Sequence, residues 1–111
     1  MDIRPVADGF AVSGQIRPED VSEIAAAGYK TIIANRPDSE DGAVPHEAIR
    51  KAAEAAGLEF HYIPVVSGAV TADNVTDMAA ALEKAKRPVF AYCRSGTRST
   101  NLYGLVQQAK R

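Results

Sequence analysis

The sequence is poor in the residues that build disulfides, metal centres and membrane spans. It has one cysteine, two histidines and no tryptophan, and aromatic residues make up 6% of its 111 positions. A single cysteine excludes an internal disulfide, the usage expected of a reducing compartment. One cysteine and two scattered histidines, His46 and His61, give no metal-ligand spacing. Neither a metal nor another cofactor is therefore expected. No apolar run approaches membrane-spanning length, and Met1-Asp2-Ile3-Arg4 lacks a signal-peptide core, so the expected location is cytoplasmic with no membrane partner. A net charge of -1 gives no general attraction to nucleic acid. Repeats, linkers and low-complexity segments are also missing, which predicts one domain over residues 1–111.

What is present is the composition of a globular α/β protein, 46% apolar and 24% charged. Phe10 to Ser13 predicts a first strand, and a helix follows from Pro18 to a stop at Gly28. Tyr29 to Ala34 predicts a second strand, and Pro45 to Ala56 a helix with Ile49, Ala52, Ala53 and Ala56 inward. Leu58 to Val66 reads as a third strand. Thr71 caps a helix whose apolar face carries Val75, Met78, Ala79, Leu82 and Ala85. Pro88 opens a fourth strand, and Leu102, Leu105, Val106 and Ala109 mark a last helix. Strands alternating with helices imply right-handed crossovers and a mostly parallel central sheet of four to five strands covered on both faces.

The chain's only cysteine falls between the last strand and the last helix, in Val89-Phe90-Ala91-Tyr92-Cys93-Arg94-Ser95-Gly96-Thr97-Arg98-Ser99. A lone cysteine is ordinarily a small buried hydrophobe. A packing cysteine, however, has no need of two arginines, hydroxyls and a glycine in the next positions. A loop entering a helix turns its N–H groups inward and places the positive end of the helix dipole at the sulfur. A thiol there is held as the nucleophilic thiolate. Cys93 is thus the expected nucleophile, Arg98 the oxyanion clamp, and Ser99 a hydroxyl donor to the thiolate. Arg94, Ser95, Gly96 and Thr97 complete the anion-binding loop, with Gly96 allowing a backbone that side chains oppose.

The order Cys-Arg-Ser-Gly-Thr-Arg-Ser after an apolar strand resembles the active-site loop of rhodanese-type sulfurtransferases, where cysteine and arginine bracket four residues. Upstream, Gly9-Phe10-Ala11-Val12-Ser13-Gly14-Gln15, Thr31-Ile32-Ile33-Ala34-Asn35-Arg36 and His61-Tyr62-Ile63-Pro64-Val65 are similar to dual-specificity protein phosphatases. Nearly the whole chain resembles the phosphatase-like domain family named after beta-lactamase hydrolase-like proteins. That resemblance implies a cysteine-phosphatase-like fold. Members occur alone or fused to persulfide-oxidising metallohydrolase domains, which makes such an enzyme an expected partner.

Two chemistries fit one thiolate. A phosphatase attacks phosphorus and needs an acid for the departing oxygen, whereas a sulfurtransferase attacks the outer sulfur of a donor and releases a leaving group that needs no proton. The phosphatase signature has five residues between cysteine and arginine, a histidine before the cysteine, and an aspartate just after the third strand. Here there are four residues, Tyr92, and Ser67. These departures favour a sulfurtransferase that forms a persulfide on Cys93 from thiosulfate or a persulfide and passes it to an external thiol. The alternative is a phosphatase drawing its proton from Asp38, Glu40 or Asp41 in the polar loop after the second strand, or from Asp73. The third reading is a non-catalytic anion-binding module. His46 reads as an exposed, inert first-turn residue and His61 as a satisfied residue of the sheet surface.

Overall fold

A computed structural model describes residues 1–110. Its sheet has five strands in the order β1-β2-β5-β3-β4, where β1 is Arg4–Ala7, β2 Phe10–Ser13, β3 Thr31–Ala34, β4 Glu59–Tyr62 and β5 Val89–Tyr92. All neighbours pair in parallel except the β1–β2 hairpin. Helices α1 (Val21–Ala26), α2 (His46–Ala55), α3 (Ala72–Lys84) and α4 (Thr97–Ala109) complete the fold, with a 3₁₀ turn at Pro18–Asp20 leading into α1.

Strands buried on both faces read as unbroken apolar runs, and side chains still alternate between the two cores. Val89, Ala91 and Ile33 join Met78 of α3 and Leu102 and Val106 of α4 on one side. Phe90, Tyr92, Ile32 and Ala34 join Ile24 of α1 and Ile49 and Ala53 of α2 on the other. α3 begins where the sequence places it: the Thr71 hydroxyl accepts from the Asn74 N–H at 3.1 Å, and the Asn74 side chain accepts from the Thr71 N–H at 2.9 Å.

The structure differs from the sequence reading in several places. β1 was not expected; Arg-Pro-Val-Ala is short, contains proline and is exposed along its whole length, so no burial pattern marks it. The third strand is shorter than Leu58 to Val66. The chain still donates from Ile63 to the Ala34 carbonyl and from Val65 to the Asn35 carbonyl, but Pro64 between them has no N–H to offer. On α4, Leu105 is 39% exposed, while Leu102 and Val106 are buried.

Since Leu102 fills the core and Leu105 does not, Leu102→Ala should cost about 2–5 kcal/mol and Leu105→Ala less than about 1 kcal/mol. Urea unfolding of the two variants checks the contrast.

Candidate active site

β5 is the central strand, with β2 on one side and β3 on the other. Its carboxyl end therefore faces loops from both neighbours, the place where open α/β sheets hold ligands. The Cys93 N–H donates to the Ser13 carbonyl of β2 at 3.4 Å, and the Asn35 N–H donates to the Tyr92 carbonyl at 2.9 Å. These bonds extend the ladder up to the cysteine and hold its backbone still.

The loop then turns through Gly96, which has φ +94° and precedes the first residue of α4. Only glycine takes that conformation without strain, and a Cβ there would also stand 3.3 Å from the Ser13 carbonyl carbon. The turn brings the Gly96 N–H to 3.0 Å from the Cys93 sulfur. Burial by itself pushes the Cys93 thiol up. The backbone N–H groups of Ser99, Ser95 and Gly96, with the Ser99 hydroxyl, outweigh it and bring the thiol below the ordinary cysteine value.

Ser99 is fully buried, and its hydroxyl donates to Asn35 Oδ1 at 2.8 Å while lying where it favours the Cys93 thiolate. Asn35 was not among the expected site residues. It too is fully buried, donates to the Ile63 carbonyl at 3.0 Å, and sets where Ser99 sits. Ser95 and Thr97 turn their hydroxyls on each other at 3.2 Å at the start of α4. Arg94 is exposed and lines the cavity above Cys93.

Arg98 also lines this cavity, but its guanidinium is already engaged. It donates to Glu40 Oε2 at 2.6 Å, to Glu40 Oε1 at 3.2 Å and to the Val65 carbonyl at 2.8 Å. The ion pair with Arg98 holds the Glu40 carboxyl below the usual range despite partial burial, and Arg36 adds to the effect. Arg36, another residue the sequence reading missed, donates to Glu40 at 3.1 Å, to the Gln15 side chain at 3.1 Å and to the Asp41 carbonyl at 2.6 Å. An arginine two residues after a buried strand, with a glutamate four residues on, was the available signal.

The expected acids separate. Asp41 lines the cavity, together with Glu40, Ser67, Gly68 and Val70. Asp38 does not: its carboxylate receives the His46 N–H at 2.9 Å and meets His46 Nδ1 at 2.7 Å. Asp73 is an exposed first-turn residue of α3 and is not part of the cavity lining. Of the expected acids, these two therefore lie away from the cavity that Cys93 lines. His46 is not simply exposed, because its ring stacks on Tyr62 at 3.7 Å and its side chain is 19% accessible. His61 is not satisfied either: among the described residues its Nε2 has no hydrogen-bond partner, and Glu59 Oε1 stands 3.8 Å away. Neither histidine reaches the cavity. Among the described residues no cluster of histidine, cysteine, aspartate and glutamate could hold a metal ion, and no helix is long and apolar enough to cross a membrane.

The amides around Cys93 predict alkylation by iodoacetamide with a midpoint below that of an ordinary cysteine. Because the folded pKa is lowered, the thiolate contributes stability above the unfolded pKa, and that contribution is lost as pH falls through the folded value. Ser99→Ala should raise the alkylation midpoint and, by leaving Asn35 Oδ1 unpaired, cost about 1–3 kcal/mol in stability. An unchanged midpoint in that variant would assign Ser99 to packing alone.

Comparison with known proteins agrees with this geometry. The family model for the phosphatase-like domain of beta-lactamase hydrolase-like proteins matches residues 2–110. The beta-lactamase hydrolase-like protein of Xylella fastidiosa (strain Temecula1) is 33% identical over 108 residues, which is 96% of this chain and 25% of that protein. The chain thus spans about a quarter of the curated relatives it matches. A phosphatase candidate from Neisseria meningitidis superposes with a TM-score of 0.87 at 35% identity, covering 99% of this chain and 79% of that one. The core catalytic domain of the PP-IP phosphatase Siw14 from S. cerevisiae, solved with citrate, superposes with a TM-score of 0.74 over 96% of this chain and 64% of its own. At 19% identity it shows a shared fold. With its match running almost from end to end and its cysteine loop at the end of the central strand, the chain belongs to the phosphatase-like domain family of beta-lactamase hydrolase-like proteins.

Proposed function

We propose that this domain is a cysteine-dependent hydrolase of the phosphatase type, acting on a phosphoryl group carried by a small anionic substrate. The observation that carries the reading is a buried thiol lining the cavity, with the Gly96 N–H 3.0 Å from its sulfur and the neighbouring Ser95 and Ser99 N–H groups favouring its thiolate form. Membership of a phosphatase-like family supports phosphorus over sulfur as the electrophile.

In this scheme the Cys93 thiolate attacks phosphorus while the bond to the leaving oxygen breaks. The loop amides and Arg94 hold the phosphoryl oxygens, and Arg98, pinned by Glu40, presents its remaining N–H groups. Asp41 protonates the departing oxygen. It is the one expected acid that lines the cavity and, among the described residues, has no ion pair on its carboxylate. Water then hydrolyses the phosphocysteine and restores the thiolate.

A specific observation keeps sulfur transfer as the second reading. Cys93 and Arg98 bracket four residues, and the acid nearest Arg98, Glu40, is committed to two guanidinium groups. An acid withdrawn in this way suits a reaction that needs no proton: the thiolate attacks the outer sulfur of thiosulfate, the S–S bond breaks, and sulfite leaves with the electron pair. The Cys93 persulfide would pass to an external thiol, with a persulfide-oxidising metallohydrolase as the partner this reading proposes.

One preparation and its Cys93→Ser control, assayed for release from an aryl phosphate and for thiocyanate formation from thiosulfate and cyanide, separates the two. The phosphatase reading expects turnover in the first arm only, lost in Cys93→Ser and reduced about 10²–10⁴-fold in Asp41→Asn. Turnover in the second arm only, indifferent to Asp41→Asn, would replace it with sulfur transfer. Silence in both would leave an anion-binding module.

A further inference from the structure

The cysteine loop has an outer side as well as an inner one, and the outer side is held from β1. Arg4 lies opposite Val12 in the β1–β2 hairpin, one residue before the end of β2. From there its guanidinium donates to the carbonyl of Ser95. The carbonyl and N–H of a trans peptide point in opposite directions. The peptide whose carbonyl Arg4 holds outward is therefore the one whose N–H, on Gly96, points inward to the Cys93 sulfur at 3.0 Å. The preceding peptide is held likewise, because the Gln15 N–H donates to the Arg94 carbonyl at 3.3 Å. That approach leaves no room at Gly14, where a Cβ would meet the Arg94 carbonyl oxygen at 2.9 Å.

The Ser95–Gly96 peptide is the one most free to turn over. It is followed by a glycine in the left-handed region, and Ser95 is exposed. If it turned, a carbonyl oxygen would face the thiolate in place of a donor. We infer that Arg4 is a positioning residue for the active site: its hydrogen bond to the Ser95 carbonyl locks the Ser95–Gly96 peptide with its N–H toward Cys93. The inference rests on the proposed role of Cys93 as the attacking thiolate, and it gives the hairpin strand β1 a task in that chemistry.

Arg4 also sits 3.9 Å from Asp2, and its side chain is 46% accessible, so its role is not core packing. Arg4 does not line the cavity, and the charged groups that do, Arg36, Glu40, Asp41, Arg94 and Arg98, are unaltered when Arg4 is changed. A through-space effect of the half-exposed Arg4 charge weakens in about 1 M salt, whereas an effect carried by peptide orientation does not.

The test is the pH dependence of Cys93 alkylation by iodoacetamide, an uncharged reagent, in the intact chain at low salt and in about 1 M potassium chloride. The wild-type midpoint lies below that of an ordinary cysteine. In Arg4→Ala it should rise by about half a pH unit, a roughly threefold loss of thiolate at fixed pH below the midpoint, and the rise should persist in high salt. Arg4→Lys, which keeps a cationic donor, should recover most of it. Arg4→Gln serves as a second neutral variant should the alanine chain fold poorly, with circular dichroism as the check. A low wild-type midpoint left unmoved by the neutral variants, or a shift abolished by salt, overturns the role of Arg4 while leaving the thiolate scheme standing. An ordinary midpoint in the wild type overturns the thiolate scheme and this inference with it.

Discussion

The contest between burial and hydrogen bonding at Cys93 governs the rest of the site. A thiolate with 1% of its residue surface exposed has lost its water, and an ion without water is unstable unless donors replace it. Here the replacement is backbone. The Gly96 N–H donates to the sulfur, the N–H groups of Ser95 and Ser99 add to the stabilisation, and they cost no side-chain entropy because the strand and helix already fix them. Backbone donors can converge this way only if the chain passes through the left-handed region, which is why the turn falls at Gly96. The central position of β5 supplies the rigidity, since strands on both sides hold the segment from which the loop departs.

Around that centre the side chains form a second tier whose function is to hold still. Glu40 lies between Arg36 and Arg98, and Arg98 reaches on to the Val65 carbonyl. The Arg98 guanidinium thereby ties the loops after β3 and β4 to the first turn of α4. The arrangement places a fixed guanidinium over the cavity and withdraws Glu40 from proton transfer, because a carboxyl held low by two cations does not keep a proton to give. Three guanidinium groups against two carboxylates line the cavity, a local bias toward anions that the net charge of -1 conceals.

The parts of this structure legible in the sequence were those with a strong local signature. Apolar runs announced β2, β3 and β5, the Thr71 cap announced α3, and the density of polar groups after Cys93 announced the loop. What escaped was relational. Asn35 and Arg36 looked like the start of a solvated turn, yet both are buried, because the loops after β3, β4 and β5 close over them. Asp38, Asp41 and Asp73 were equivalent as sequence. Only the fold ties Asp38 to His46, leaves Asp73 on the outside of α3 and sets Asp41 at the cavity. Arg4, 91 positions from Ser95, carried no signal of its own, since a short exposed strand with a proline obeys no periodicity.

The same geometry explains why phosphoryl and sulfur transfer are hard to tell apart in this family's loop. Both need a thiolate, inward amides and an arginine, and all three are in place here. They part company over the proton. An alkoxide leaving phosphorus is a poor leaving group and must be protonated as it departs, while sulfite leaving a sulfane sulfur is already a stable anion. The discriminating residue is thus not in the cysteine loop but across the cavity, on the segment after β3. Glu40 there is committed to Arg36 and Arg98, and Asp41 beside it is not. In the proposed scheme a single carboxylate, Asp41, on an exposed turn rather than a rigid element, is the residue on which the choice of electrophile rests.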